Sequence, residues 1–236
     1  MNTARATARA GAAERIELAR IEPQRWANGA GLTREIARSE LTGNAATGNA
    51  AAGTATTGSA AAAGLAFDWR ISIAEVARDA PFSAFPGIDR CIVLLAGAGM
   101  RLASRDGRID HRLAEPLVPF RFAGEARIDA TVLEGRCSDL NVMTRRGACT
   151  SEVVCHRAAA ELPSAADITL LWCQAGTWRV AASGPDADGG RGEAHTLAPS
   201  QGLLWRAPPG RLGMRPLASA APAALLVVRL CHDPAR

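Results

Sequence analysis

Two arginines, Arg70 and Arg90, stand in sequence contexts that suggest recognition of an anion. Arg70 lies in the alternating stretch FDWRISIAEV, and Arg90 precedes the almost wholly apolar stretch CIVLLAG. A guanidinium offers paired, charge-assisted hydrogen bonds that match a carboxylate. Because a buried arginine without a partner is strongly unfavourable, an inward arginine implies a nearby anion, which is either a ligand or a side chain.

The loop between these arginines, PFSAFPG, is aromatic and stiff. Its two prolines fix φ, and Gly87 is free to turn. In FDWRISIAEV, period-two alternation puts Trp69 and the isoleucines on one face and Arg70 with Ser72 on the other. We therefore expect a polar recess of defined shape. Its expected lining is Arg70, Ser72, Ser83, Arg90 and Asn141.

Simpler roles remain open for each of these residues. Arg70 could be a surface residue on a half-exposed strand, and Asp139 and Asn141 could satisfy turn backbone. Trp26 and Trp69 could be core residues or stacking platforms. Ser83 is expected to be a turn or ligand hydroxyl, because no histidine is near it in sequence and no GxSxG elbow is present.

No metal or cofactor is expected. The histidines lack HxH, HxxxH and HExxH spacing; they are His111, His156, His195 and His232. The glycine-rich turn in RWANGAGLTREIA is not followed by a helix, so a phosphate-binding loop is disfavoured. The arginines are interleaved with acids, and the net charge of +4 is mild, so no nucleic-acid partner is expected.

Many short strands between glycine and proline turns predict an all-β protein, with enough strands for two sandwiches or barrels in tandem. We expect a disordered tail at 1–15, a first barrel at 16–150 and a second at 151–236, with strand exchange between them left open. The first predicted strand is Ile16–Ile21. Residues 41–64 are low in complexity and predict a flexible insertion.

The remaining composition favours a cytoplasmic protein with no membrane partner. The longest late apolar run, AALLVV, is too short to span a bilayer, and the start of the chain lacks the apolar core of a secretory signal. Six cysteines without CxxC spacing are expected to be buried thiols in a reducing compartment. A homodimer is left open.

Five blocks in order resemble the HutD/Ves family: RWANGAGLTREIA, FDWRISIAEV, PFSAFPGIDR, PFRFAGE and DLNVMTRRG. The resemblance is strong over Ile16–Arg146. It implies a double β-barrel of cupin type, which is a bicupin with jelly-roll units. Ala30 and Ala80 stand where the family is expected to have glycine, and the 41–64 insertion also departs from the family pattern.

The resemblance implies a role in bacterial histidine utilisation. Members are expected to bind a pathway metabolite such as formylglutamate or formiminoglutamate and to limit pathway output, with no firm enzymatic activity. The ligand-binding set that follows is Trp26, Asn28, Glu35, Arg70, Ser72, Phe82, Ser83, Arg90, Asn141 and Arg145. The alternatives are a structural role or a metal-independent enzyme on a small acid or sugar-like substrate, with Glu35 or Asp139 as acid–base residue.

Overall fold

The computed structural model of the protein describes residues 12–39, 67–163, 166–183, 193–208, 210–218 and 222–233. These residues form strands and one short 3₁₀ helix, Leu18–Arg20. The strands are β1 Ala13–Glu17, β2 Gln24–Arg25, β3 Gly31–Arg38, β4 Trp69–Val76, β5 Ala80–Pro81, β6 Ile88–Ala96, β7 Met100–Ser104, β8 Asp110–Leu113, β9 Pro119–Ala123, β10 Ile128–Val132, β11 Cys137–Arg145, β12 Cys149–His156, β13 Ala160–Leu162, β14 Ile168–Ala175, β15 Trp178–Ser183, β16 Ala194–Leu197, β17 Gln201–Arg206, β18 Arg211–Pro216 and β19 Ala224–His232.

The strands form four antiparallel sheets. The first outer sheet has the order β5-β10-β7-β8, and the first inner sheet has the order β2-β3-β4-β11-β6-β9. The second inner sheet has the order β1-β17-β14-β19-β12, and the second outer sheet has the order β13-β18-β15-β16. The chain therefore has two halves, each with a large inner and a smaller outer sheet.

Three apolar layers hold the four sheets together. One joins the first outer and inner sheets and includes Ile92 and Met100. A second joins the two inner sheets and includes Ile71 and Trp172, and the third lies around Trp178 in the second half. Since an antiparallel strand presents alternate residues to its two faces, both faces of each inner sheet are covered. This explains why the inner strands are apolar over most of their length.

Strand β4 shows how the site is positioned. Trp69, Ile71 and Ile73 are at most 2% exposed and pack between the two inner sheets. Arg70 and Ser72 consequently face the first outer sheet, as the alternation predicts. The apolar face of β4 thus anchors the first half to the second, while its polar face is turned into the first half.

The N-terminal strand differs from its prediction. The strand expected at Ile16–Ile21 is β1, which spans Ala13–Glu17 and is followed by the 3₁₀ helix Leu18–Arg20. It pairs with β17, and therefore lies in the second inner sheet rather than in the first half. Residues 1–11 and the whole of the predicted insertion at 41–64 lie outside the described residues.

The all-β class is confirmed. None of the four sheets closes on itself among the described strands, so the double barrel stays a prediction. No helix in the described ranges is long and apolar enough to cross a membrane.

Candidate functional site

The three central strands of the first inner sheet bring the two arginines together. In the antiparallel register, Met143 of β11 pairs with Arg70 of β4 on one side and with Arg90 of β6 on the other. Directly paired residues project from the same face of a sheet. Both arginines therefore point to the same side of the sheet, although they are twenty positions apart in the chain.

A cavity of about 500 Å³ opens over this face. Eight of the ten predicted ligand-binding residues line it: Trp26, Asn28, Arg70, Ser72, Phe82, Ser83, Arg90 and Asn141. Glu35 and Arg145 do not. The remaining lining is Gln24, Arg25, Ala27, Thr33, Ala74, Pro81, Phe85, Asp139 and Met143.

Trp26 forms one wall and is held by its own turn. The indole Nε1 donates to Thr33 Oγ1 at 2.8 Å, and the backbone N–H of Ala30 donates to Asn28 Oδ1 at 3.0 Å. A Cβ on Gly31 would lie 2.4 Å from the backbone oxygen of Glu75. Glycine at this position lets β3 approach β4 closely under the Trp26 ring.

The aromatic loop PFSAFPG forms a second wall of the cavity. The Phe82 N–H donates to the Ile128 carbonyl at 2.8 Å, and the Phe85 N–H donates to the Gly124 carbonyl at 2.7 Å. The rings of Phe82 and Trp26 meet edge-on, with centroids 6.2 Å apart. Backbone hydrogen bonds thus fix the loop against neighbouring strands, and its side chains give the cavity a rigid apolar rim.

Arg90 is buried within an aromatic cage. Its guanidinium carbon lies 4.9 Å from the ring centroid of Phe122, 5.3 Å from that of Phe82 and 5.7 Å from that of Phe85. Its Nη1 donates to the Ser83 carbonyl at 3.4 Å. Burial lowers the pKa of Arg90 to about 10, against the attraction of Asp139. Cation–π contacts hold the charge without neutralising it.

Glu35 is hydrogen-bonded to one of the cavity arginines. Its Oε2 accepts a hydrogen bond from Arg70 Nε at 2.8 Å across adjacent strands. Glu35 pairs with Ser72 in the register of β3 and β4, which brings its carboxylate beside the arginine. It bonds Arg70 from outside the cavity lining, and its assignment as a ligand contact stays a prediction.

Arg145 also lies outside the cavity lining, and its assignment as a ligand contact stays a prediction. It lies at the last position of β11 and forms an ion pair with Asp68, a buried residue before β4. The backbone N–H of Arg145 also donates to the Asp68 carbonyl at 2.7 Å. Strand alternation alone would place Arg145 on the cavity face with Met143, but the strand end is tied to Asp68 instead.

Asp139 is a cavity residue that the predicted ligand-binding set omits. It is 1% exposed, and no described residue donates a hydrogen bond to either carboxylate oxygen. Burial raises its pKa to about 7, against the attraction of Arg90. Its sequence signal was the polar pair Asp139 and Asn141 at period two in the largely apolar strand CSDLNVMTR.

Gln24 and Arg25 were missed altogether. They form the short strand β2 directly before Trp26 and pair with Thr33 and Leu32 of β3. A two-residue strand carries no periodic pattern, so their adjacency to Trp26 was the available signal.

Neither metal ligands nor disulfides mark the site. Within the described ranges, no three His, Cys, Asp or Glu side chains form a group that could hold a metal ion. The expected absence of a metal stays a prediction. Four cysteines are buried, as expected: Cys91, Cys137, Cys149 and Cys173.

Comparisons with known proteins agree with this architecture. Protein Ves from Citrobacter koseri is 36% identical over 141 residues, which are 59% of this chain and 62% of that protein. HutD from Pseudomonas fluorescens SBW25 matches with a TM-score of 0.70 and 24% identity, over 94% of this chain and 100% of that one. A cupin 2 conserved barrel domain protein from Leptotrichia buccalis matches with a TM-score of 0.50 and 8% identity, over 92% of this chain and 95% of the other.

The structural matches are below 25% identity and show the fold, which is cupin-like. The chain spans less than two thirds of the length of the Ves protein that it matches. The family model for HutD covers residues 18–222, which is most of the chain, and the protein therefore belongs to the HutD family.

Proposed function

We propose that the protein binds a small carboxylic acid in this cavity, one resembling formylglutamate or formiminoglutamate, and thereby modulates histidine utilisation. One observation carries the proposal. Arg90 is buried at the cavity, held by phenylalanine rings, and forms no ion pair among the described residues. A buried cation that lacks an ion-pair partner is unfavourable, and a carboxylate ligand would supply that partner.

The charges around the cavity favour an anionic ligand. Arg25, Arg70 and Arg90 line it. Glu35 offsets part of the charge of Arg70 through the bond to Nε. The acid among the lining residues is Asp139, whose raised pKa of about 7 leaves it partly neutral near neutral pH. The net charge of the cavity lining is therefore positive, which favours the binding of a small carboxylate.

The link to histidine utilisation comes from the HutD family. Since the Ves match spans only part of that protein, its activity and partners do not carry over. As part of the proposal, the protein acts in the cytoplasm, and each half is one unit of a cupin-type double barrel. Its contribution is to sequester or sense the metabolite rather than to convert it.

Calorimetric titration with N-formyl-L-glutamate, formiminoglutamate and glutarate tests the binding. We expect at least one acid to bind with 1:1 stoichiometry and to raise the melting temperature, because a ligand that binds only the folded state stabilises it. L-Lysine, a cationic amino acid, is the control ligand. No response to any of the acids would overturn the proposal.

The pathway role needs a separate test. A bacterium lacking its HutD protein is complemented with this chain or with the Arg70→Ala variant, and pathway intermediates are measured during growth on histidine. We expect the wild-type chain, but not Arg70→Ala, to restore the intermediate levels of the parent. If the wild-type chain and the Arg70→Ala variant restore the intermediates equally, the pathway role does not depend on the cavity.

Asp139 favours a second candidate, a metal-independent enzyme. A buried carboxyl with a pKa of about 7 is suited to general acid–base catalysis at neutral pH. Incubating the same acids with the protein and following their loss by mass spectrometry distinguishes the two. Turnover that disappears in Asp139→Asn would favour the enzyme, and binding without turnover favours the binding protein.

A further inference from the structure

The acceptor atoms of the cavity are as notable as its arginines. Both carboxylate oxygens of Asp139 are buried without a donor among the described residues, and so is Oδ1 of Asn141. These residues are 1% and 6% exposed, and both line the cavity. Buried acceptors are nearly always hydrogen-bonded in folded proteins, and those that are not need an explanation.

Arg90 does not satisfy these acceptors. It attracts Asp139 electrostatically, but no hydrogen bond joins the two. The guanidinium is instead held over the ring of Phe122 and bonded to the Ser83 carbonyl. The aromatic cage thus holds the Arg90 guanidinium without a hydrogen bond to Asp139. Both groups lie on the same face of the sheet, and each is available to a ligand in the cavity.

The register separates the two kinds of group along the sheet. Arg70 and Arg90 flank Met143 in one row, and Asn141 lies two positions along β11, paired with Ser72. Asp139 lies two positions further on, beside Ala74. Four residues of strand place the backbone of Asp139 about 13 Å from the arginine row. In the backbone register, the two arginines therefore share one row, and the two acceptor residues lie further along β11.

We propose that Asp139, supported by Asn141, recognises a hydrogen-bond donor on the ligand, so that the ligand is a carboxylic acid with a separate N–H group. This rests on the proposed function, since the arginine row binds the carboxylate. An acid without an N–H group would leave the Asp139 oxygens without a hydrogen bond. A site with such buried acceptors rejects analogues that lack the donor, because the acceptors then stay unpaired. Asp139 is thus a specificity residue.

A pair of ligands that differ only in the donor tests the inference. N-formyl-L-glutamate carries the amide N–H, and N-formyl-N-methyl-L-glutamate lacks it. Each is titrated calorimetrically into wild-type protein and into Asp139→Asn. We expect the loss of the N–H to weaken wild-type binding about 10- to 100-fold, as for a hydrogen bond to a charged group. Asp139→Asn is expected to weaken the binding of N-formyl-L-glutamate by a similar factor. Its affinity for the N-methyl ligand should stay within about threefold of the wild-type value.

The four affinities separate the outcomes. If methylation only creates a clash, Asp139→Asn will leave N-formyl-L-glutamate unchanged, and the inference is wrong. Tighter binding to Asp139→Asn would mean that the residue donates, which also overturns it. If N-formyl-L-glutamate, formiminoglutamate and glutarate all fail to bind the wild type, the proposed function itself fails. Asp110→Asn is the control, because it changes an exposed carboxylate that is paired with Arg101. Its affinity for each ligand should match that of the wild type.

Discussion

Arg90 and Asp139 lie on the neighbouring strands β6 and β11, point into the same cavity and form no ion pair with each other. Burial is the main influence on both: it lowers the pKa of Arg90 to about 10 and raises that of Asp139 to about 7. Their mutual attraction opposes both shifts without cancelling them. Such opposed shifts inside one cavity are more typical of functional sites than of structural ion pairs.

The raised pKa of Asp139 predicts a pH dependence of stability. Between about pH 4 and pH 7 the unfolded chain has lost this proton and the folded protein retains it, so stability falls as the pH rises. The loss is about 1.4 kcal/mol for each unit by which the pKa is raised, and it levels off above the folded pKa.

Asp139→Asn lacks this titration, so its stability relative to the wild type should increase from about pH 4 to pH 7 and then stay constant. Urea denaturation at a series of pH values measures the difference. In Asp110→Asn the difference should be constant between about pH 4 and pH 7 and have the opposite sign of change only below about pH 4, because bonding to Arg101 lowers the pKa of Asp110. A difference for Asp139→Asn that does not change with pH would show that Asp139 is ionised in the folded protein throughout.

Arg70→Ala should nearly abolish acid binding. Losing a charge-assisted pair in a desolvated site weakens binding by about 2–5 kcal/mol, or roughly 30- to several-thousand-fold. Arg70→Lys should rescue poorly, because one ammonium cannot reproduce the planar fork that bonds Glu35 and a ligand together. Calorimetry of these variants beside Arg108→Ala, an exposed arginine in the β7–β8 hairpin, decides the matter. Parent-like affinity in Arg70→Ala would remove Arg70 from the site.

Arg145→Ala should lower stability and spare binding. The variant loses the ion pair with Asp68, whose side chain is 5% exposed. We expect a loss of about 1–3 kcal/mol, the range for a hydrogen bond between charged groups, and a melting temperature lower by several degrees. Acid affinity should stay within about twofold. A large loss of affinity with unchanged melting would return Arg145 to the ligand-binding set.

Gly31→Ala should disturb both the fold and the site. The new Cβ would lie 2.4 Å from the Glu75 backbone oxygen and 3.3 Å from the Trp26 ring, so β3 or the indole must move. Overpacking of this kind typically destabilises by about 1–3 kcal/mol. Gly107→Ala is the comparison without crowding: nothing lies within 4 Å of the added atom, and the strain there comes from the positive φ of Gly107, which Gly31 lacks. A melting temperature of Gly31→Ala equal to that of the wild type would contradict the crowding argument.

The sequence by itself determined the local features of this protein. Alternation in FDWRISIAEV put Arg70 and Ser72 on the face opposite Ile71, and the structure agrees because a strand exposes alternate residues to its two sides. The rigid loop around Ser83 and the turn at Asn28 were likewise visible, since proline, glycine and asparagine act on their own backbone. These features depend on neighbours within a few residues.

Only the tertiary structure decided which residues meet across the sheets. Arg70 forms an ion pair with Glu35, 35 positions away in the chain, and Arg145 forms one with Asp68, 77 positions away. Strand β1 paired with β17, near the other end of the chain. Antiparallel register is set by hydrogen bonds and packing between distant segments, and many pairings satisfy the same alternation. The ion-pair partner of each charged side chain therefore depends on how the sheets assemble and not on the local sequence.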